Sequence, residues 1–521
     1  MTLMLTLGTA TFGAQKTLPS GKDTGSINVT NLKPGDTVTA YQFVKADYNE
    51  YGFTGYSAIN NYVKDPVAPT AQEVIDMASN AATMTVAAEK KVATGDTEVT
   101  LNGLPVGYYL VMVTSGSETV YSPMIAGIYY SKSATDNTLT NGAISADSDF
   151  EIKAQKCWAK SSTPKLEKTI VTPSSKNSKG DDIAIGDKIT FNLSATVPSY
   201  SKEYKKVTYK IYDIMSEGLD YVDGSMKCFI EKYENNRENI KVTPKVNGGI
   251  IEITFDSKFI LEHPGQKIQV EYQAKLNEKA GVNFDANINK AYLEYSNNPA
   301  SGSTAKTGED KVYVYTFGID SNLFGKSTEK WNEKTKELIK VEEGEYQWGE
   351  TEKESGIFTT TTALEGATFT LTNNKTKKSY TATSDKYGYL KFTGLDAGEY
   401  TLQETDAPDG FTLNDAKHTV VITAEYNQDG TLKSYTIKID DKATSTYTAT
   451  YDKGVIKTIT STKDSQGNIS ESAILKNSKM SFLPSTGGVG TTIFAIVGVV
   501  FVAAALGLHM ILRGKSKLEQ D

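Results

Sequence analysis

Two stretches of this 521-residue chain follow one pattern: LNGLPVGYYLVMV (Leu101–Val113) and FTGLDAGEYTLQE (Phe392–Glu404). Both read G-L-x-x-G-x-Y. Each runs from one strand-forming segment through a tight glycine turn into a second, as at the edge of a β-sandwich. Glycine suits such turns because it enters the left-handed region at little steric cost. The repeat predicts that the first and last parts of the chain are related all-β folds.

The segments around the repeat read the same way. TGSINVTNLKPGDTVTAYQFV alternates Ile27 and Val29 before a Pro-Gly turn, which predicts a strand. PTAQEVIDMASNAATM, opening at Pro69-Thr70, predicts a helix packed on the first sandwich. In the middle, KITFNLSATV and KIQVEYQAKL keep a period of two. NPASGSTAKTGED then reads as a linker, and KSTEKWNEKTKELIKVEEGEYQWGETEKESG as a solvated surface insert in the last domain. Thirty tyrosines and frequent turn residues complete an all-β bias.

A net charge of -8 argues against a nucleic-acid partner. The two cysteines, Cys157 and Cys228, are too few for a disulfide framework. They read as two unpaired core residues, with a bridge as the alternative. Three scattered histidines give no metal site, triad or cofactor constellation. At the N-terminus, Leu3–Ala14 resembles the apolar core and cleavage site of a secretory signal without its basic n-region. The expectation is that the chain begins inside a signal peptide covering residues 1–16.

The C-terminus carries SFLPSTGGVGTTIFAIVGVVFVAAALGLHMILRGKSK. The apolar run 489–512 suits a transmembrane helix, which needs about 20 apolar residues. Arg513, Lys515 and Lys517 mark its cytoplasmic end. Alone, this reads as a tail anchor. With Leu483, Pro484, Ser485, Thr486 and Gly487 ahead of it, it resembles the cell-wall sorting signal of Gram-positive surface proteins. That resemblance implies cleavage between Thr486 and Gly487 by a sortase, which passes the threonine carbonyl to an amine. The nucleophile is the sortase's, and this chain is its substrate.

Over essentially its whole length the chain resembles the backbone pilins of Gram-positive sortase-assembled pili. YTLQETDAPDGF (Tyr400–Phe411) matches that family's E-box, with Glu404 as its acid. PKLEKTI opens the middle domain and carries Lys168. YDIMSEGLDYV carries Asp213, and AYLEYSNNP carries Asn297 and Asn298. The resemblance implies tandem Ig-like β-sandwiches of the collagen-adhesin A and B types followed by the sorting helix. The domains expected are 17–160, 161–300 and 301–480, with the sorting signal at 481–521.

The resemblance also implies self-formed isopeptide bonds. A lysine and an asparagine buried together would react because burial lowers the amine pKa and keeps a neighbouring carboxyl protonated, while proximity supplies much of the rest. The expected set is Lys168 with Asn297, Asn298 being the alternative, assisted by Asp213. In the last domain, Glu404 and Asn477 match the acid and the partner. Ser321 falls where the family has its lysine, so Lys326 would have to reach Asn477. In the first domain Val113 stands where Glu404 does, and no bond is expected there.

Family pilins accept the next subunit on a lysine before the middle domain. In KAQKCWAKSSTPKLEK that place is taken by Lys160, with Lys165 after Pro164 as the rival. The expectation is a non-enzymatic shaft subunit, wall-anchored outside the cell. Its expected partners are a sortase, identical subunits, peptidoglycan, and possible ancillary pilins and a host ligand. The alternative is a monomeric wall-anchored adhesin or an ancillary pilin.

Overall fold

The computed structural model describes residues from Leu18 to Thr462 with breaks, the longest within 133–149 and 320–363, together with the strand Ala473–Asn477. The expected signal peptide, Ser321, the sorting motif and the apolar run 489–512 lie outside the described residues.

Among the described residues strands dominate and enclose three successive cores, with a fourth, smaller cluster where Met77 and Ala78 pack on Phe43, Val44 and Leu110 of the first part of the chain. In the first, Thr24–Thr30 buries Ile27 and Val29 and pairs antiparallel with Glu98–Pro105. The facing sheet is built on Thr37–Asn49, Gly107–Thr114 and Met124–Ser131. The predicted helix is Ala71–Ser79. Thr70 caps it through the Glu73 amide, and the Glu73 carboxylate reaches back to the Thr70 amide. Ile75, Met77 and Ala78 are its buried residues.

The repeated motif makes the same turn twice. Gly103 and Gly394 have φ of 70° and 77°. Each motif tyrosine, Tyr109 or Tyr400, donates its hydroxyl to the carbonyl four residues upstream, that of Pro105 or Asp396.

The middle core lies between two sheets. One runs, in spatial order, through Leu166–Ile170, Lys188–Thr196, Lys267–Leu276, Lys227–Tyr233 and Asn236–Ile240. The other centres on Asn287–Asn298, flanked by Tyr209–Met215 and Asp310–Tyr315. Its membership corrects the reading of NPASGSTAKTGED as a linker. Ser303–Lys306 folds back antiparallel on Asn287–Asn298, and Asp310–Tyr315 is a full strand of the same sheet, so the middle sheet extends past residue 300. The Ser, Thr and Gly that suggested flexibility form a hairpin whose partner strand supplies the backbone hydrogen bonds.

In the last core, Thr368–Asn373, Gly398–Asp406, Lys417–Tyr426 and Leu432–Ile439 form an antiparallel sheet extended by the hairpin Ala443–Asp452/Val455–Thr462. The N-terminal edge is split in two. Phe317–Ile319 pairs with Phe392–Leu395, and Phe324–Thr328 pairs parallel with Ala473–Asn477. Part of the expected surface insert forms strands as well, Lys336–Lys340 and Tyr346–Glu350. Cys157 and Cys228 are buried and unbridged, with burial raising both thiols.

Candidate functional site

Strand alternation carries charged groups into the middle core. In Leu166–Ile170 the buried residues are Leu166, Lys168 and Ile170. In Tyr209–Met215 they are Tyr209, Ile211, Asp213 and Met215. Lys168 and Asp213 therefore occupy positions where the pattern calls for aliphatic residues, and both are fully buried. Lys168 comes from one sheet and Asp213 from the other. The Lys168 ammonium contacts Asp213 Oδ2 directly.

Tyr272 and Asn289 complete the cluster. Tyr272 lies on the Lys168 sheet, across the Lys188–Thr196 strand and opposite Phe191. Its hydroxyl donates to Asp213 Oδ1 at 2.7 Å and accepts from Lys168 Nζ at 3.1 Å. Asn289 lies on the Asp213 sheet, where Ala291 is opposite Asp213. Asn289 Nδ2 donates to the Tyr272 hydroxyl at 2.7 Å. A tyrosine has one proton to give. Here it goes to Asp213, so the amide group facing Tyr272 must be the donor Nδ2. Asn289 Oδ1 is then buried with no hydrogen-bond partner. Buried polar atoms are seldom left so.

The surroundings are apolar and aromatic. Nζ sits 5.0 Å from the Phe191 ring centroid and 5.3 Å from that of Tyr272. Burial holds the Lys168 amine below its ordinary pKa, opposed by the attraction of Asp213. Burial likewise raises Asp213 above the usual carboxylate range, opposed by Lys168. Desolvation favours the uncharged form of both groups. One proton transfer makes the ion pair a neutral amine beside a carboxylic acid, with the Asn289 amide held on the same Tyr272 hydroxyl.

The expected partner Asn297 is elsewhere. It is eight residues further along its strand, about 26 Å at ~3.3 Å per residue, and its Oδ1 accepts from exposed Ser303 Oγ. Asn298 accepts from the Ser301 amide at the same tip. Both lie at the hairpin end of the strand, so the asparagine that joins the cluster, through the Tyr272 hydroxyl it shares with Lys168, is Asn289. Nearby Asn287 is buried too, but its amide is fully engaged by Gly281 and the Val314 carbonyl. Asn289 and Asn297 have the same parity in the sequence, but a register shift at Ser296–Asn298 breaks the alternation, leaving Ser296 buried and Asn297 outside the core. Tyr272, within KIQVEYQAKL, had no marker in the sequence.

In the last core Glu404 is buried, and its Oε2 accepts from the Asn414 amide at 2.8 Å. The parallel pair sets Lys326 opposite Leu475 and Thr328 opposite Asn477. Lys326 and Asn477 thus lie on adjacent strands, two residues out of register. At the position equivalent to Glu404, Val113 is buried in the first core.

Lys160 and Lys165 are both exposed. Lys160 lines a cleft of about 490 Å³ where the first and middle cores meet, with Val74 and Ile75 of the capped helix, Pro123 and Tyr200. The chain around it alternates: Cys157 and Ala159 are buried, while Trp158, 70% exposed, and Lys160 face outward. Among the described residues, no His/Cys/Asp/Glu group could hold a metal.

Comparison with known proteins adds three family matches. Residues 22–161 match a T6 antigen Ig-like domain, 357–438 a SpaA prealbumin-like fold domain, and 476–517 the LPXTG cell wall anchor motif. The chain is 26% identical, over 95% of its length and 96% of the relative's, to the trypsin-resistant surface T6 protein of Streptococcus pyogenes serotype M6. It superposes on the structure of the T6 backbone pilin of serotype M6 S. pyogenes with a TM-score of 0.59 at 20% identity, covering 89% of this chain and all of that one. The chain is a backbone pilin of the sortase-assembled kind. As a pilin it is an extracellular, wall-anchored structural subunit, processed by a sortase and polymerised into the pilus shaft.

Proposed function

We propose that this pilin forms its fibre by joining Thr486 of one subunit to Lys160 of the next, and that it hardens each subunit with a self-formed bond between Lys168 and Asn289. The observation that carries the second part is the buried cluster: an amine, a carboxyl and an amide with an unsatisfied oxygen, assembled in an apolar core. Asp213 takes a proton from Lys168, and the neutral amine attacks the Asn289 carbonyl carbon. Ammonia leaves, and an amide joins the two sheets. Each site reacts once, so the subunit turns over no foreign substrate. A second bond, Lys326 to Asn477 with Glu404 as the acid, fits the parallel pairing of their strands.

Lys160 is favoured over Lys165 as acceptor because it borders a cleft of about 490 Å³ and follows the exposed Trp158 in the same outward phase. An ancillary pilin or a host ligand would be a further partner of the assembled fibre.

Two measurements test this. Intact-mass spectrometry of the purified chain should show the loss of one ammonia per bond, and digestion should release a Lys168–Asn289 branched peptide. Finding both residues unmodified would refute that bond. In wall extracts boiled in detergent, a high-mass ladder should collapse to monomer in Lys160→Ala. A ladder that survives and is lost instead in Lys165→Ala moves the acceptor. A single wild-type band removes the polymer and leaves a wall-anchored adhesin.

A further inference from the structure

Among the described residues, Tyr272 is the one side chain hydrogen-bonded to all three groups of the buried cluster. Its hydroxyl meets Asp213 Oδ1, Lys168 Nζ and Asn289 Nδ2, which fills its one donor and two acceptor positions. Asp213 faces Lys168 with Oδ2 and Tyr272 with Oδ1. The contacts therefore run in series from the attacking nitrogen, through the carboxyl and the phenol, to the nitrogen that must leave.

We infer that Tyr272 is a catalytic residue of this cross-linking reaction, delivering the proton that lets the Asn289 nitrogen depart as ammonia. The inference rests on the Lys168–Asn289 bond proposed above. The need for such a donor follows from the chemistry. An amide anion is far too basic to leave a buried carbon, so Nδ2 must gain a proton as the C–N bond breaks. Before attack, Nδ2 is a planar amide nitrogen and donates to Tyr272. Once the lysine amine has added, Nδ2 becomes tetrahedral and gains a lone pair. The hydrogen bond can then reverse, with the phenol as donor.

The proton count closes. Lys168 starts as an ammonium and ends as a secondary amide nitrogen, so Nζ gives up two protons. Asp213 retains one. The other exits on ammonia: Tyr272 hands its hydroxyl proton to Nδ2 and is refilled from Asp213 at Oδ1, while Oδ2 draws on Nζ. The Nζ–Cγ bond forms, the Cγ–Nδ2 bond breaks, and no oxidant, metal or water is required. Tyr272 also sets the starting geometry. By holding Nδ2 it leaves Oδ1 without a partner, so the carbonyl enters the reaction unsatisfied.

The test uses the full chain made by cell-free translation, with ammonia loss followed by intact mass against time. Tyr272→Phe keeps the ring against Phe191 and Tyr221 and removes only the hydroxyl. General acid catalysis is worth roughly 10²–10⁴-fold, so this variant should accumulate unreacted chain and cross-link at least ~100-fold more slowly. Cross-linking at the wild-type rate would overturn the inference. Should Tyr272→Phe fail to fold, fluorotyrosines placed at position 272 by nonsense suppression keep both ring and hydroxyl while lowering the phenol pKa in steps. A proton donor predicts a rate that changes progressively along that series, and a flat series overturns the role. If wild-type chain never loses ammonia, the bond itself is refuted; if it does while both variants react normally, only the role of Tyr272 falls.

Discussion

Tyr109 and Tyr400 occupy equivalent places in two different cores, and each hydroxyl ties back to the backbone four residues before it. Both rings are buried. The hydrogen bond staples the glycine turn to the strand that follows. Tyr109→Phe should cost about 1 kcal/mol, the net worth of one such bond. Tyr400→Phe should cost at least as much, because Asp396 Oδ1 also loses the donor. The two effects should add, since the sites are far apart. Thermal unfolding of the single and double variants, made in a background lacking the Lys168 cross-link, checks this.

Removing the cross-link has a larger effect. Asn289→Ala should leave Lys168 unreacted and lower stability by about 4–5 kcal/mol, the chain-entropy value for a loop of order 100 residues. Asp213→Ala should be worse. It blocks the reaction and strands a buried amine without its partner, a situation that typically costs a further ~3–5 kcal/mol. Asn297→Ala should lose ammonia as wild type does. Intact mass and denaturant midpoints for the three variants give the comparison.

The junction between the middle and last cores is expected to respond to pH. Asp182 is buried there, accepting from the Tyr426 hydroxyl at 2.6 Å and from the Ala397 amide. Burial raises its carboxyl from 3.8 to about 6, assisted by Asp181 and Asp396 and opposed by the two hydrogen bonds. A folded pKa above the unfolded one favours the protonated form. This contribution to stability is therefore full below about pH 4 and is lost as pH climbs through about 6. The rise corresponds to roughly 3 kcal/mol. Asp182→Asn should flatten the profile over that window, measured as unfolding midpoint against pH.

The same junction is closed by backbone as well as side chains. A Cβ on Gly180 would stand 2.2 Å from the Gly430 carbonyl oxygen. Asn177 donates to the Asn427 carbonyl, and Lys378 to the Ile185 carbonyl and Asp187. Gly180→Ala should force these surfaces apart, at a cost of about 1–3 kcal/mol. Faster protease cleavage near residue 316 and a larger radius of gyration in solution scattering are the expected readouts.

Trp158 should matter to assembly and not to folding. It is 70% exposed and shares the outward phase of Lys160. Trp158→Ala should change monomer stability by no more than about 0.5 kcal/mol while weakening the high-mass ladder. An unchanged ladder would show that the tryptophan takes no part in subunit joining.

The fold was largely legible because alternation is local information. Ile27 and Val29, the KITFNLSATV strand and the capped helix at Thr70 follow from residues next to one another. Lys168 and Asp213 were legible by another route, the resemblance of PKLEKTI and YDIMSEGLDYV to family motifs, and the structure adds that both sit in the buried phase of their strands. Asn289 was not. Asn289 and Asn297 share a strand and a parity in the sequence, and the choice between them depends on which stands near Asp213 on a neighbouring strand and on the register shift that breaks the alternation at Ser296–Asn298. Register across a sheet is set by distant sequence and by turn geometry. Tyr272 was hidden differently: a tyrosine within a buried strand looks like core until its hydroxyl is seen to have partners. The hairpin at Ser303–Lys306 was misread because Ser, Thr and Gly signal flexibility only where no strand lies alongside.

The order of strands in the middle sheet bears on how a fibre would carry load. Tension would enter this core just before Leu166 and leave through Asp310–Tyr315, which continues within two residues into Phe317 of the next core. Asp310–Tyr315 lies hydrogen-bonded beside the strand that carries Asn289, with Asn289 opposite Val312. With Lys168 joined to Asn289, a pulling force would pass over the covalent bridge soon after entry and reach the exit strand without straightening the segment between. The length held in reserve is roughly 400 Å, at ~3.4 Å per extended residue. A pilus built this way would behave under shear as a nearly inextensible cable, with little slack to pay out before its covalent links bear the strain.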